Sequence, residues 1–318
     1  MISPRIGRNL SGGMLSGKAK GTIAIIISAF GFSLMALFVR LCDDCGGPVS
    51  AFQKGFFRNL VAFAIAAAVW WRGREDGRRE TRGVLSLKSK VLLVLRATLG
   101  TTGIFAHFYA LSHITIAEGL TLNKTAPFFT VLFAWLFLGE RSNRRQLLTL
   151  ALAFFGVVLI AKPGFAGASA FPLAIGLLSG VCAGGAYACV RALRRHELSP
   201  SLIILFFSIF SCLASVPFMV VRFDPMTTRQ VLVLIGSGAG AAMGQFGITL
   251  AYGYAAPREI AVYDYTNILF TAVFGLIFFG QVPDVWSLGG CLAILLAAFR
   301  MWGGSECPDK ACKRKEIR

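Results

Sequence analysis

The chain alternates between long apolar segments and short polar segments over nearly its whole length. Each apolar segment approaches the roughly 20 residues that an α-helix needs to cross about 30 Å of hydrocarbon. Because a backbone in lipid must satisfy its own hydrogen bonds, such a series predicts transmembrane α-helices. The ten predicted spans are 21–41, 49–71, 91–112, 116–138, 146–162, 171–190, 200–221, 231–254, 259–279 and 286–303.

Composition agrees with this pattern and leaves no room for a large soluble domain. Of the 318 residues, 56% are hydrophobic, and the mean hydropathy is +0.68. Residues 1–19 are polar and rich in Gly and Ser, and the first apolar run is long enough to span, so we expect a retained helix rather than a cleaved signal peptide. The sequence predicts an all-α integral membrane protein with a cytoplasmic N-terminal segment, 1–20, and a basic cytoplasmic tail, 304–318.

The basic residues are concentrated on one side of the predicted spans. The formal net charge is +17, and 24 of the 32 Lys and Arg residues fall in the inner segments if the N-terminus is inside, against three in the outer loops (Lys162, Arg222 and Arg229). This asymmetry predicts cytoplasmic termini in the inner or plasma membrane and contact with anionic lipid headgroups on the cytoplasmic face. We expect no nucleic-acid partner, since no basic segment is interleaved with stacking aromatics.

An internal repeat relates the two halves of the chain. Residues 91–140 align with 232–281 without gaps at an offset of 141, which places Glu118 on Glu259. Each half then has five spans, and an odd number inserts the second half upside down. Inverted repeats of this kind are typical of alternating-access transporters. The predicted repeats are 21–164 and 165–303.

Four runs carry a resemblance to a known family: PVSAFQKGFFR at 48–58, AEGLTLNKTAPFFTVLFAWLFLGE at 117–140, AKPG at 161–164 and YDYTNILFTAVFGLIFFGQ at 263–281. With these runs, over roughly 21–303, the chain resembles the EamA-type transporters of the drug/metabolite transporter superfamily. Gln281 stands where that family often has Glu. The resemblance implies ten helices in two inverted repeats around a central cavity, which is lined by the first, third, fourth, sixth, eighth and ninth helices.

Two charged residues near the middle of predicted spans are the strongest candidates for substrate binding. Lys124 lies in the fourth span and Asp264 in the ninth, and the repeat places Asn123 on Asp264 and Tyr265 on Lys124. Charges at this depth need a partner or a wet cavity. One cation and one anion across the pseudo-twofold axis suit a zwitterionic or otherwise polar organic substrate. The alternative is a structural pair that fixes two helices.

Further polar residues within the spans are weaker candidates, each with a structural alternative. For Arg58 we favour a structural role, because the family often has Arg at this position. For His107, which could titrate near neutral pH, we favour a hydrogen-bonded structural role. A packed aromatic face is the alternative for the neighbours of Asp264, and Glu118 and Glu259 favour helix-terminus roles. The remaining predicted substrate-binding residues are Arg96, Gln245, Tyr263, Tyr265 and Asn267.

Two glycine ladders with four-residue spacing predict close helix contacts, since GxxxG sequences let helix backbones approach. Packing is the default interpretation, and sliding of one bundle on the other is its functional extension. The ladders are Gly176, Gly180 and Gly184, and Gly236, Gly240 and Gly244.

The motifs that are missing narrow the function. No phosphate loop of the GxxxxGK[ST] type and no nucleophile–base constellation occurs, so we expect neither ATP-driven pumping, an enzyme, nor a cofactor. Cys42 and Cys45 form a CxxC pair, but we predict no metal site.

We therefore expect a secondary transporter of a small polar or amphipathic organic metabolite, such as an amino acid. Export is the direction that the resemblance to the family implies. The alternatives are uptake or exchange of a nucleotide-derived metabolite such as a cofactor, a membrane-embedded lipid-modifying enzyme, or a receptor. A homodimer stays an open alternative for the oligomeric state.

Overall fold

A computed structural model describes residues 16–75, 86–111, 113–164, 169–221 and 223–303. All secondary structure within these ranges is helical, so the predicted all-α class is confirmed. Most of the predicted segment 1–20 and the tail 304–318 lie outside the described residues. The helices are α1 Gly17–Asp44, α2 Ala51–Glu75, α3 Leu87–Leu111, α4 Ile116–Asn123, α5 Ala126–Leu138, α6 Arg144–Ala161, α7 Ala170–Arg195, α8 Pro200–Val221, α9 Thr228–Tyr254, α10 Pro257–Ile260, a 3₁₀ helix Ala261–Tyr265, α11 Thr266–Phe279 and α12 Val285–Gly303.

Within the described ranges, nine helical segments are long and apolar enough to cross a membrane. Two of them are composite: Glu118–Leu138 joins α4 to α5, and Pro257–Phe279 joins α10, the 3₁₀ helix and α11. The predicted span that is not among the nine is α2, whose first turns carry Lys54 and Arg58 besides neighbouring Gln and Asn side chains. These polar groups lower the hydropathy of a helix that is otherwise long enough.

The two composite spans break at positions related by the predicted offset of 141. In the first, Lys124 and Thr125 separate α4 from α5, and in the second the 3₁₀ helix precedes α11. Each composite span then ends in a left-handed glycine, Gly139 with φ 69° and Gly280 with φ 62°. A positive φ is readily adopted only by glycine, which explains its presence at both ends.

Helix α4 begins at a capping box. The Thr115 side chain accepts a hydrogen bond from Glu118 N at 3.3 Å, and the Glu118 carboxylate accepts one from Thr115 N at 2.9 Å. This satisfies two backbone donors that a helix start would leave without partners. Glu118 is therefore a helix-terminus residue, as its position in the sequence favours.

Both glycine ladders lie against neighbouring helices. The ladder on α7 packs against the first composite span, which we also call the first broken helix. A Cβ on Gly180 would lie 2.7 Å from Leu122 O, and one on Gly184 would lie 2.8 Å from Ala126 O. A Cβ on Gly176 would lie 2.7 Å from the Leu122 side chain. Backbone atoms of α4 and α5 thus occupy the space that side chains would need.

The ladder on α9 meets α1. A Cβ on Gly240 would lie 2.8 Å from Met35 N and 2.9 Å from Gly31 O, and one on Gly244 would lie 2.6 Å from the Phe32 ring. A Cβ on Gly236 would lie 3.1 Å from the Phe38 ring. The pairing of α1 with α9 therefore depends on direct backbone contact.

We expect Gly240→Leu to destabilise the protein strongly, because the new side chain would collide with the α1 backbone. Overpacking typically costs about 1–3 kcal/mol, and contact with a backbone leaves little room for relief. Thermal unfolding and the folded fraction after size-exclusion chromatography measure the loss. Gly289→Leu is the matched control, since Gly289 is exposed on α12 and a Cβ there would meet no atom within 4 Å. Equal stability of the two variants would contradict the packing argument.

Contacts between connections define two ends of the bundle. At the first, named here the Asp43 end, the Lys54 ammonium pairs with Asp43 at 2.6 Å, and Ser50 N donates to Asp224 at 2.7 Å. Lys162 and Asp284 form an exposed ion pair there. The hydrogen bond from Lys162 is the largest effect that lowers the pKa of the Asp284 carboxyl, to about 2, so this carboxyl is ionised at neutral pH.

At the opposite end, named the Arg191 end, Arg191 Nε donates to Glu140 at 2.8 Å, and Arg191 Nη1 donates to Tyr252 O at 2.9 Å. Arg258 also donates to Arg141 O at 2.8 Å. A continuous set of buried side chains fills the space beside these contacts, including Val190, Leu193, Ile248 and Ala261. This end of the bundle is closed.

Candidate functional site

A cavity of about 500 Å³ lies between the helices and extends toward the Asp43 end. Tyr187, Phe207 and Gln245 line its base, and Val39 and Ala51 line its mouth. This volume is typical of small-molecule sites. The lining includes all six spans that the resemblance implies. Helices α2 and α8, which are the second and seventh spans, contribute as well, and the resemblance does not imply them.

The cavity brings together eight of the ten predicted substrate-binding residues: Arg58, Arg96, His107, Asn123, Lys124, Gln245, Asp264 and Asn267. Tyr263 and Tyr265 do not line it and are buried, at 3% and 0% exposure. The 3₁₀ helix explains this difference, since its three residues per turn point successive side chains in different directions. Asp264 faces the cavity, whereas Tyr265 points away and donates to Lys124 O at 3.0 Å.

The centre of the site lies where the two broken helices approach each other. Lys124 follows the last residue of α4, and its ammonium lies 4.0 Å from the Asp264 carboxylate. The same ammonium donates to Asn267 Oδ1 at 2.8 Å, and Asn267 Nδ2 donates in turn to Ser33 Oγ at 2.8 Å. The Lys124 and Asp264 side chains keep 18% and 13% exposure. At 4.0 Å the pair is looser than a direct hydrogen bond, so both charges remain available to a bound molecule.

Asn123 ties the first break to α7. Its amide donates to Ser179 Oγ at 3.1 Å, and Ser179 Oγ donates to Gly176 O at 2.6 Å. At the break itself, Thr125 Oγ1 donates to Leu122 O at 2.6 Å. Side chains thus support the interrupted backbone, which is tolerated at membrane depth only where protein or water surrounds it.

Two arginines form the base and one wall of the cavity. Arg96 is 2% exposed, donates from Nη2 to Gln245 Oε1 at 3.1 Å, and has its guanidinium carbon 4.1 Å from the centre of the Phe207 ring. Arg58 is half-buried on α2, which Asn59 holds to α8 by a hydrogen bond to Ser211 at 2.8 Å. Among the described residues, neither guanidinium forms an ion pair with a carboxylate.

The cavity also contains residues that the sequence interpretation did not select. Tyr187, Phe32, Phe108 and Phe207 line it, as does Lys54 near its mouth. One signal was available for Tyr187: it is a polar aromatic residue on α7, three positions after the last glycine of the ladder. The phenylalanines carry no such signal among the 28 in the chain.

His107 and the CxxC pair have distinct surroundings. His107 Nδ1 is buried without a hydrogen-bond partner in the described structure. Cys42 is buried, Cys45 is exposed, and both are free thiols. The described ranges contain no group of three or more His, Cys, Asp or Glu side chains placed to hold a metal ion.

Several known proteins are similar to the chain over most of its length. It is 28% identical to the pseudopaline exporter CntI of Pseudomonas aeruginosa, over 88% of this chain and 95% of the relative. It is 27% identical to a riboflavin transporter of Brucella anthropi, over 76% of this chain and 84% of the relative. A solved crystal structure matches the fold with a TM-score of 0.72 at 17% identity, over 89% of this chain and 96% of the other.

The family model that matches is that of the EamA-like transporter family, over residues 19–162. This range coincides with the first predicted repeat, and the relatives extend the likeness into the second half. The protein is a multi-pass integral membrane protein that is similar to the EamA-like transporter family over residues 19–162.

Proposed function

We propose that the protein moves a small polar or amphipathic organic metabolite across the membrane by alternating access, as a secondary transporter. The observation that carries the proposal is the one-sided cavity with Lys124 and Asp264 at its centre, where two broken helices meet. Broken helices at the interface of inverted repeats are the usual place of substrate sites in secondary transporters.

Export of an amino acid or a related compound is the preferred direction and substrate class. The CntI relative is named as an exporter, which favours export. The riboflavin transporter among the relatives favours the second candidate, uptake or exchange of a cofactor-like metabolite.

The architecture that we propose has ten spans, with α2 as the tenth, in two inverted repeats at 21–164 and 165–303. The packing supports it. Helix α1 packs along α9, and α7 packs along α3. In two five-span repeats α1 corresponds to α7 and α3 to α9, so the two pairs are equivalent. The breaks and the left-handed glycines also recur at the offset of 141. In addition, Arg40 meets Gln281 at one end as Arg191 meets Glu140 at the other.

We also propose an orientation of the protein in the inner or plasma membrane. The excess of Lys and Arg supports a cytoplasmic position of the Arg191 end and both termini, beside anionic lipid headgroups. The cavity, which reaches the Asp43 end, then faces outward.

Transport is expected to continue without ATP. Purified protein in proteoliposomes should exchange a labelled metabolite against its unlabelled form when no nucleotide is present, because a secondary transporter uses only gradients. A panel of amino acids and riboflavin serves as the first set of substrates, and protein-free liposomes give the background. Transport that requires ATP would overturn the proposal.

A further inference from the structure

The charges that line the cavity do not balance. Among the described residues, four cationic side chains line it, from Lys54, Arg58, Arg96 and Lys124, whereas Asp264 supplies the one carboxylate. Lys54 lies near the mouth and is paired with Asp43 at 2.6 Å, and Lys124 is paired with Asp264 at 4.0 Å. The two arginines are left without a carboxylate among the described residues.

The surroundings of Arg96 hold its guanidinium in a fixed orientation without neutralising it. Gln245 accepts from Nη2, and the Phe207 ring lies against the guanidinium plane. A Cβ at Gly100 would collide with Arg96 Nη1, so the glycine one turn away provides the space for this orientation. Arg96 Nε is buried and has no hydrogen-bond partner in the described structure. The positive charge and unused donor capacity remain beside the cavity.

Arg58 has the same two properties. It lines the cavity, and its Nε is buried without a partner among the described atoms. Unpaired cations at membrane depth are costly and are typical of functional sites. Guanidinium groups bind carboxylates and phosphates through two parallel hydrogen bonds. The described residues supply no carboxylate to either arginine, so neither is part of a structural ion pair there.

We infer that the transported molecule is an organic anion, with a carboxylate or phosphate group that binds Arg58 and Arg96. This inference rests on the proposed transport function and narrows its substrate class. A zwitterion bound at Lys124 and Asp264 alone would leave both arginines uncompensated. Phe32, Phe108 and Phe207 line the same cavity and suit an aromatic or aliphatic part of the anion.

Binding to the purified full-length protein tests the inference without any transport step. The probes are phenylsuccinate, its neutral diamide of nearly the same shape, and phenyl phosphate. We expect phenylsuccinate or phenyl phosphate to bind in calorimetry and to raise the Tm, and the diamide to do neither. The tighter of the two anions distinguishes a carboxylate site from a phosphate site.

Variants locate the site. We expect Arg96→Gln and Arg58→Gln each to weaken binding of the anion about tenfold or more, since each removes a charged hydrogen-bond donor. Arg96→Lys and Arg58→Lys keep the charge and should retain part of the affinity, which guards against variants that fail to fold. Arg229→Gln, an exposed arginine outside the cavity, should bind as the wild type does.

Equal binding of the diamide and the diacid, no binding of either anion, or unchanged affinity in both glutamine variants would overturn the inference. None of these results would by itself contradict transport, because ATP-free exchange of a neutral or zwitterionic metabolite could still be measured in proteoliposomes.

Discussion

Asp264→Asn is expected to reduce transport about tenfold or more while the protein keeps its fold. Asparagine has nearly the same shape as aspartate, but it leaves the Lys124 ammonium without its charged partner at 4.0 Å. A single charge near the middle of a span costs roughly 2.5–3.5 kcal/mol on insertion scales. The measurement is the initial rate of uptake into proteoliposomes, corrected for folded protein.

Lys124→Met should cause a similar loss, because it leaves the Asp264 carboxylate unpaired and removes the donor to Asn267. The double variant separates two roles. If the residues bind substrate, combining Asp264→Asn with Lys124→Met restores nothing. If they form only a structural pair, the double variant regains much of the lost rate. Wild-type rates in both single variants would remove the two residues from the site.

The exposed pair of Lys162 and Asp284 offers a matched control, with the same residue types outside the cavity. Their side chains are 46% and 47% exposed, against 18% and 13% for Lys124 and Asp264. Exposed ion pairs contribute only about 0–1 kcal/mol. Asp284→Asn and Lys162→Met should therefore leave transport close to the wild-type rate.

Arg191→Gln is expected to raise the population of the conformation in which the Arg191 end is open, by about tenfold or more. Arg191 is 14% exposed and bridges Glu140, which follows α5, to the backbone of Tyr252 on α9. A hydrogen bond to a charged group contributes roughly 1.5–3 kcal/mol, and 1.4 kcal/mol changes an equilibrium about tenfold. Loss of the bridge thus favours the conformation in which this end is open.

The buried thiol of Cys189, 7% exposed on α7, can report this opening. In a chain whose other cysteines are replaced by serine, its alkylation rate should rise with the open fraction. Arg40→Gln is the matched control, because Arg40 contacts Gln281, which the offset of 141 pairs with Glu140, as Arg191 contacts Glu140. Arg40 lies at the Asp43 end, where it contacts Phe279, with its guanidinium carbon 4.0 Å from the ring centre.

With its amide oxygen turned toward Arg40, Gln281 accepts hydrogen bonds at 2.9 and 3.1 Å. Phe279 is the last residue of α11, and Gln281 follows two positions later. Among the described residues, Arg40 therefore makes no bridge between two helices like the one that Arg191 makes to α9. Arg40→Gln should therefore leave Cys189 protected. Protection in the Arg191→Gln variant, or faster alkylation in the Arg40→Gln variant, would contradict this role for Arg191.

Much of the fold could be predicted from local properties of the sequence. Apolar segments of membrane length predict helices because unsatisfied backbone groups are excluded from lipid. Thr115 and Glu118 predict the start of α4, since a capping box depends on two side chains three residues apart. The offset of 141 predicts similar backbones in the fourth and ninth spans, but the breaks within them are seen only in the structure.

The candidate site could be predicted only in part. The sequence predicts Lys124, Asp264, Arg58 and Arg96 as site residues because they are charged and lie within spans. All four line the cavity. The physical reason is that an unpaired charge in lipid is costly at any point of a span. Aromatic residues give no such signal, since a tyrosine or phenylalanine is as favourable in a packed core as beside a ligand. Tyr265 was therefore selected although it faces away, and Phe207 was missed.

The sequence by itself determined the helical class, the approximate spans and the residues whose charge requires a partner or water, because these follow from hydropathy and local spacing. Only the tertiary structure decided which end of the cavity is open and which arginines lack a carboxylate. The hydrogen bond from Arg191 to Tyr252 and the distance between Lys124 and Asp264 join residues 61 and 140 positions apart. Contacts of this kind depend on how helices pack, and no local pattern along the chain records that packing.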